Sequence, residues 1–258
     1  MARQAALQAH RRKAARRRQL ITMVAIVAIV FIIVALLQRG DDGGENVTAG
    51  STTTALGPDS STAAPAPPGK VGTAPCPPAD GSATRTITFD GEPQTCIDVA
   101  KTYTAAFETD VGNFTVALDS KKAFNTVNNF VFLSRYHFYD GVKFHRVIPG
   151  FVVQGGDAAK GDGTGDAGYK FADELPASVD EYKAGSLAMA NSGPDTNGSQ
   201  FFVVVSDEGG KQLQNPSYSL FGQVTSGLDV VQKIEADGSP EGQPKALHQI
   251  IKVTITEA

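Results

Sequence analysis

A mainly β domain, an antiparallel barrel closed on itself with helices over its ends, is the fold that residues 76–258 predict. Three features predict it: short apolar runs with strand-like alternation, Gly- and Pro-rich turns between them, and only two stretches with helical spacing. Closure suits such a chain because it leaves no strand edge exposed. Ahead of the domain the sequence predicts a basic cytoplasmic tail over 1–19, a transmembrane helix over 20–37 and a disordered linker over 38–75.

The net charge of −4 hides two unlike parts. Residues 1–19 carry seven bases and no acid, so the rest holds 16 bases against 27 acids. An acidic body argues against nucleic acid as a partner, because phosphate binding needs clustered Lys and Arg on the domain itself. Leu20 to Leu37 is an uncharged apolar run of eighteen residues. As a helix it spans about 27 Å, close to the thickness of a bilayer core. Arg16, Arg17 and Arg18 beside it place the amino terminus in the cytoplasm and everything after Gln38 outside. A cleaved signal peptide is the rival reading. The run is longer than the usual ~7–15 residues of such a segment, and no small-x-small site directly follows Leu37. The expectation is therefore a single-pass anchor in the cell membrane.

Residues 38–75 are poor in bulky apolar side chains and rich in Gly, Ser, Thr, Ala and Pro, so they bury too little to offset chain entropy. Cys76 and Cys96 are the two cysteines, both on the exported side, where an oxidising compartment favours a structural disulfide. Strands are expected over 103–109 and 111–118, joined as a hairpin, then over 141–148, 151–154, 185–190, 200–205, 219–224 and 249–256. Asn125 to Arg135 repeats apolar residues at helical spacing through Val127, Phe130 and Val131. Leu228 to Ala236 forms a second amphipathic helix, with Ser226 and Asp229 as its start signature.

Conventional catalytic groups are absent. There is no Gly-x-Ser-x-Gly, no His-Glu-x-x-His and no Walker loop, and His10, His137, His145 and His248 lack metal-ligand spacing. Gly163, Gly165 and Gly168 make a Gly-x-Gly-x-x-Gly, but strands rather than a helix follow, so it reads as a glycine loop. No metal and no cofactor are expected. Two segments stand out: Phe138 to Asp157, FYDGVKFHRVIPGFVVQGGD, and Leu187 to Phe202, LAMANSGPDTNGSQFF. Alternation puts Arg146 with Phe144, Phe151 with Val153, and Val152 with Gln154, without fixing which face lines a groove. A cation, two amides and several rings can converge there.

Both segments resemble the cyclophilin family, in the right order, and the resemblance runs from about Tyr103 to the end. It implies an eight-stranded barrel capped by two helices, with a proline-binding groove on its outer wall, and peptidyl-prolyl cis/trans isomerase activity. By motif position Arg146 is the catalytic cation. Phe151, Val152, Phe202 and Leu213 line the proline pocket. Gln154, Ala190, Asn191, Ser192 and Gln200 contact the substrate backbone, and Gly163 borders a secondary pocket. Tyr218 stands where animal cytosolic members have His and bacterial members often have Tyr. Val152 replaces a more usual Met and Ser192 a common Ala. Leu213 stands where many eukaryotic members carry Trp. Leucine has no N–H to donate to cyclosporin, so weak cyclosporin binding is expected.

The bland readings are ion-paired Arg146, core rings at Phe151 and Phe202, and turn-tying amides at Asn191 and Gln200. Phe144, His145 and Phe201 read as core or framework, with His145 satisfying a buried hydrogen bond. The functional expectation is a monomeric isomerase acting on Xaa-Pro bonds of exported polypeptides. The competing ones are a non-catalytic proline-peptide-binding module and a structural envelope protein.

Overall fold

The structure is a computed structural model that describes residues 69–258. The expected tail, membrane helix and most of the expected linker lie outside the described residues. Among the described residues no helix is long and apolar enough to cross a membrane.

Eight antiparallel strands form one sheet: β1 (Tyr103–Thr109), β2 (Gly112–Leu118), β3 (Arg146–Ile148), β4 (Val152–Gly155), β5 (Ser186–Met189), β6 (Phe201–Val204), β7 (Leu220–Ser226) and β8 (Ile250–Glu257). Their order across the sheet is β3-β4-β6-β5-β7-β2-β1-β8. Alternation sets the first hairpin: Phe107 faces Phe114 across the ladder, and the two rings stack 4.4 Å apart inside the sheet's curl. Phe130, Tyr139, Phe201 and Phe221 fill the same interior.

Closure is thinner than the expected barrel. No ladder joins the edge strands β3 and β8. The gap is spanned by one bridge, Lys143 to Gln249, with the Phe144 amide donating to the His248 carbonyl and the Ile250 amide to that of Val142. The expected strand over 141–148 thus shrinks to Arg146–Ile148. Phe144 lies in the irregular stretch before it and turns into the core, so the alternation that paired it with Arg146 does not hold.

Among the described residues three α-helices occur instead of two. α1 (Phe124–Arg135) is buried from Thr126 onward, so it is not the amphipathic helix its spacing suggests. Its outer side is covered by the chain before β1. Phe89 packs 4.9 Å from Phe132, and the Asn128 amide bonds the Cys96 N–H and the Gln94 carbonyl. Ala123 offers α1 no side-chain cap. The Glu174 carboxylate caps it from another loop, accepting from the Asn125 and Thr126 amides and the Thr126 hydroxyl. α2 (Asp207–Lys211) was not expected. α3 (Leu228–Ala236) starts at Gly227, not Ser226. Ser226 is still paired with Thr115 in the sheet, and Gly227 turns with φ +78 where a Cβ would meet the Asn113 carbonyl at 2.4 Å.

Order also begins before the expected boundary at Cys76. Val71 bridges Glu92, and Thr73 donates to Asp90 from its amide and its hydroxyl. Cys76 and Cys96 form the expected disulfide.

Candidate active site

Strands β4, β5 and β6 carry apolar side chains on both faces. Val153, Leu187, Met189, Phe201 and Val203 face the interior. Val152, Ala188, Phe202 and Val204 face outward and form a second, smaller cluster with Tyr182. Register brings its members together: Val152 opposite Val204, Gln154 opposite Phe202, and Ala188 opposite Phe202. The open question of which face lines the groove is thereby answered. Val152 and Gln154 line it and Val153 does not. Phe151, in the turn before β4, joins the groove instead of sharing the fate of Val153.

The outer cluster floors a cleft of about 310 Å³ lined by Arg146, Phe151, Val152, Gln154, Ala190, Asn191, Phe202, Leu213 and Tyr218. A smaller cleft of about 90 Å³ adjoins it, sharing Gln154, Ala190 and Asn191 and adding Gly163, Ser192 and Gln200. The twelve site residues read from the sequence therefore fall into two connected clefts. A larger cavity of about 510 Å³, between Lys101, Leu118, Lys122 and Gly222, contains none of them. Two of its three lysines, Lys101 and Lys122, are paired with Glu257 and Glu181.

Arg146 opens β3 opposite Gln154 in β4, so the register itself puts the guanidinium beside the amide. Arg146 Nη1 donates to Gln154 Oε1 at 3.1 Å, and its Cζ lies 5.9 Å from the Phe151 ring centre. Among the described residues no carboxylate pairs with Arg146. Gln154 Nε2 donates in turn to Gln200 Oε1 at 3.1 Å. Phe202 meets Tyr218 edge-on, ring centres 5.2 Å apart. The Asn191 side chain does tie down a turn, donating to the Ser217 carbonyl and accepting from the Gly193 amide.

Several supports were not read from the sequence. The Tyr182 phenol clamps the Tyr218 backbone, donating to its carbonyl at 2.6 Å and accepting from its amide at 3.2 Å. Burial pushes that phenol's pKa up to about 12. α2 lies against the backbone of Gly150 and Phe151, and the Leu213 amide donates to its Gly210 carbonyl. Its two glycines let it sit against backbone: a Cβ on Gly209 would meet the Gly150 carbonyl at 2.7 Å, and one on Gly210 would meet that of Tyr182 at 1.9 Å. Ser206 caps this short helix, accepting from the Gly209 amide and donating to the Gly150 carbonyl. The signal was present, a Ser followed by Asp207 and Glu208, but the glycine pair masked it.

His145 departs from expectation. Neither ring nitrogen has a hydrogen-bond partner, although both are buried. Burial holds its pKa below the usual histidine value, against the pull of Asp157 and Asp162. The glycine loop is no nucleotide site: it opens no helix and points its N–H groups at Asp157 of the chain itself.

The family model "Cyclophilin type peptidyl-prolyl cis-trans isomerase/CLD" matches residues 104–255. "Peptidyl-prolyl cis-trans isomerase-like 1" of Aspergillus oryzae is 40% identical over 158 residues, which is 59% of this chain and 94% of that protein. A peptidyl-prolyl cis-trans isomerase of Helicobacter pylori is 41% identical over 140 residues, 54% of this chain and 83% of its own length. Among solved structures, a Cryptosporidium parvum cyclophilin type peptidyl-prolyl cis-trans isomerase superposes with a TM-score of 0.55 at 30% identity, covering 60% of this chain and 98% of its own. The same protein has also been solved in the presence of the dipeptide Ala-Pro.

Proposed function

The chain belongs to the cyclophilin-type peptidyl-prolyl cis-trans isomerase family, and from that premise we propose that Arg146 is the group that lowers the rotation barrier. An Xaa-Pro bond turns over a barrier of ~18–20 kcal/mol because rotation breaks amide resonance. No covalent bond to the enzyme is needed. The site has to favour the twisted imide, whose nitrogen is pyramidal and whose lone pair is free. A guanidinium donates to that lone pair and gains little from the planar form, and only such a difference accelerates the step. The observation that carries the assignment is a guanidinium without an anionic partner, held by one neutral amide at the edge of an apolar cleft.

The remaining roles follow from position. Phe151, Val152, Phe202 and Leu213 grip the pyrrolidine ring, with Tyr218 walling the far side. Gln154, Ala190, Asn191, Ser192 and Gln200 hold the flanking chain, and Gly163 borders the second cleft. One side of the imide then turns against a fixed other side. An Ala-Pro unit, as supplied to the Cryptosporidium parvum relative, is the smallest substrate of this type. The test is NMR exchange on an Xaa-Pro peptide. Arg146→Ala is expected to lose about 10²–10³ in kcat/KM, by analogy with deleting a preorganised donor. Unchanged turnover would refute the assignment.

The basic head and the apolar run of residues 20–37 support a further reading: a membrane-anchored monomer whose domain helps exported polypeptides fold on the far side of the membrane. A topology reporter fused after Ala258 is expected to respond outside the cytoplasm, and a cytoplasmic response would overturn that placement.

A further inference from the structure

The glycine loop that binds no nucleotide is joined to the cleft by an unbroken run of hydrogen bonds. It starts at Asp157, whose side chain is buried. Asp157 Oδ1 accepts from the Lys160 amide at 2.8 Å. Its Oδ2 accepts from the amides of Gly163 and Gly165 at 2.9 and 3.0 Å. The carbonyls of these same two glycines each accept from Gln200 Nε2 at 2.8 Å. Gln200 Oε1 accepts from Gln154 Nε2, and Gln154 Oε1 from Arg146.

The run has a direction that chemistry dictates. A carbonyl oxygen only accepts, so the glycine pair holds the NH₂ end of Gln200 toward itself. That leaves the Gln200 oxygen for Gln154 and turns the NH₂ end of Gln154 away from the arginine. The Gln154 oxygen is then the atom presented to a guanidinium, which only donates. Reversing either amide would set donor against donor. Glycine is required at the origin: a Cβ on Gly165 would come within 2.3 Å of Asp157 Oδ1, and Gly163 has φ +90.

We propose that Asp157 is a positioning residue for Arg146, an internal anion that shapes the glycine loop so that Gln200 and Gln154 present the guanidinium to the reacting imide. The proposal rests on the reading of Arg146 as the reacting cation. Burial raises the Asp157 pKa, but the backbone N–H groups converging on the carboxylate outweigh it and hold it below the usual carboxylate value. Charge-assisted bonds of this kind are stronger than those the amide of an Asn would make.

The test is a cycle in the full chain: wild type, Asp157→Asn, Arg146→Ala and the double variant, with kcat and KM from NMR exchange and melting temperatures alongside. Asp157→Asn is expected to lower kcat about tenfold with KM little changed, as for one misdirected hydrogen bond. In the Arg146→Ala background it is expected to change kcat no further, while lowering the melting temperature by the same amount in both backgrounds. An Asp157→Asn protein with wild-type kcat, or one with the same tenfold loss in both backgrounds, overturns the proposal. If Asp157→Asn does not fold, Gln200→Leu interrupts the run one bond later and leaves the carboxylate in place. It is expected to lower kcat and to loosen the Arg146 side-chain N–H signals, and wild-type kcat with unchanged signals overturns the proposal equally. Full turnover in Arg146→Ala alone would instead sink the catalytic assignment, and this proposal with it. Loss there with no effect of Asp157→Asn sinks only the positioning role.

Discussion

Phe201 and Phe202 are neighbours in one strand, equally aromatic and both buried, yet they belong to different parts of the molecule. Phe201 meets Phe107, Phe130 and Tyr139 inside the sheet's curl. Phe202 floors the outer cleft with Val152 and Tyr218. The difference teaches that hydrophobicity does not separate core from site in these strands. An outward face of a sheet is usually solvated and polar. Here it is apolar, and what marks it as a site is the row of polar atoms along its edge, from Arg146 through Gln154 to Gln200.

The pair gives the largest expected effect. Phe201→Ala should cost about 3–5 kcal/mol of stability, because it opens a cavity in close packing. Phe202→Ala leaves a space that solvent already borders, so its stability loss should be clearly smaller and its main effect a fall in kcat/KM. Denaturant unfolding and exchange rates on both proteins check this. Equal stability losses with equal rates would erase the distinction between the two faces.

Glu174 and Tyr182 sharpen the same contrast at smaller scale. Glu174 serves the interior side, since its carboxylate caps the helix packed over the barrel. Glu174→Ala should cost roughly 2 kcal/mol of stability with kcat/KM of the folded protein unchanged. Tyr182 serves the groove side. Tyr182→Phe removes both bonds to the Tyr218 backbone and should cost about 1 kcal/mol of stability, with KM raised as that wall loosens. A raised KM in the Glu174 variant, or an untouched one in the Tyr182 variant, would break the partition.

The strands were legible for two reasons: β1 and β2 alternate strictly, and β4 and β6 are short apolar runs bounded by turn residues. Nine of the twelve candidate site residues were legible through two long motifs, which name residues without giving their arrangement, while Gly163, Leu213 and Tyr218 lie outside both. What the sequence withheld was decided by neighbours remote in the chain. α1 reads as amphipathic, but its second face is covered by residues that precede β1, at Phe89 and Cys96. Its cap comes from Glu174, 48 residues from Thr126. Ser226 carries a start signature that the sheet overrides by pairing it with Thr115. Phe144 breaks alternation because the barrel seam, not a strand ladder, holds it. His145 and Asp157 lie within one motif, and only the fold shows that the first is left without partners and the second is surrounded by donors.

The smallest expected effect sets a histidine under the groove against one on the seam, with opposite signs. His248 lies between Asp110 and Asp237, 3.0 and 2.9 Å from their carboxylates. Burial lowers its pKa, but the bonds to Asp237 and Asp110 outweigh that and raise it above the ordinary 6.5. The folded state therefore holds a proton that the unfolded chain has released. The stabilisation is complete below pH 6.5 and fades as pH rises through the raised value. His145 is the reverse. Burial lowers its pKa, so the unfolded chain takes up a proton first, and stability falls as pH drops from 6.5 through the lowered value. Melting temperature should accordingly peak near pH 6.5. His248→Gln should flatten the alkaline side and His145→Gln the acid side, each leaving the other slope in place. A wild-type protein whose melting temperature rises steadily from pH 6 to 8.5 would show that the carboxylate pair does not hold His248 protonated, and the seam would lose its electrostatic lock.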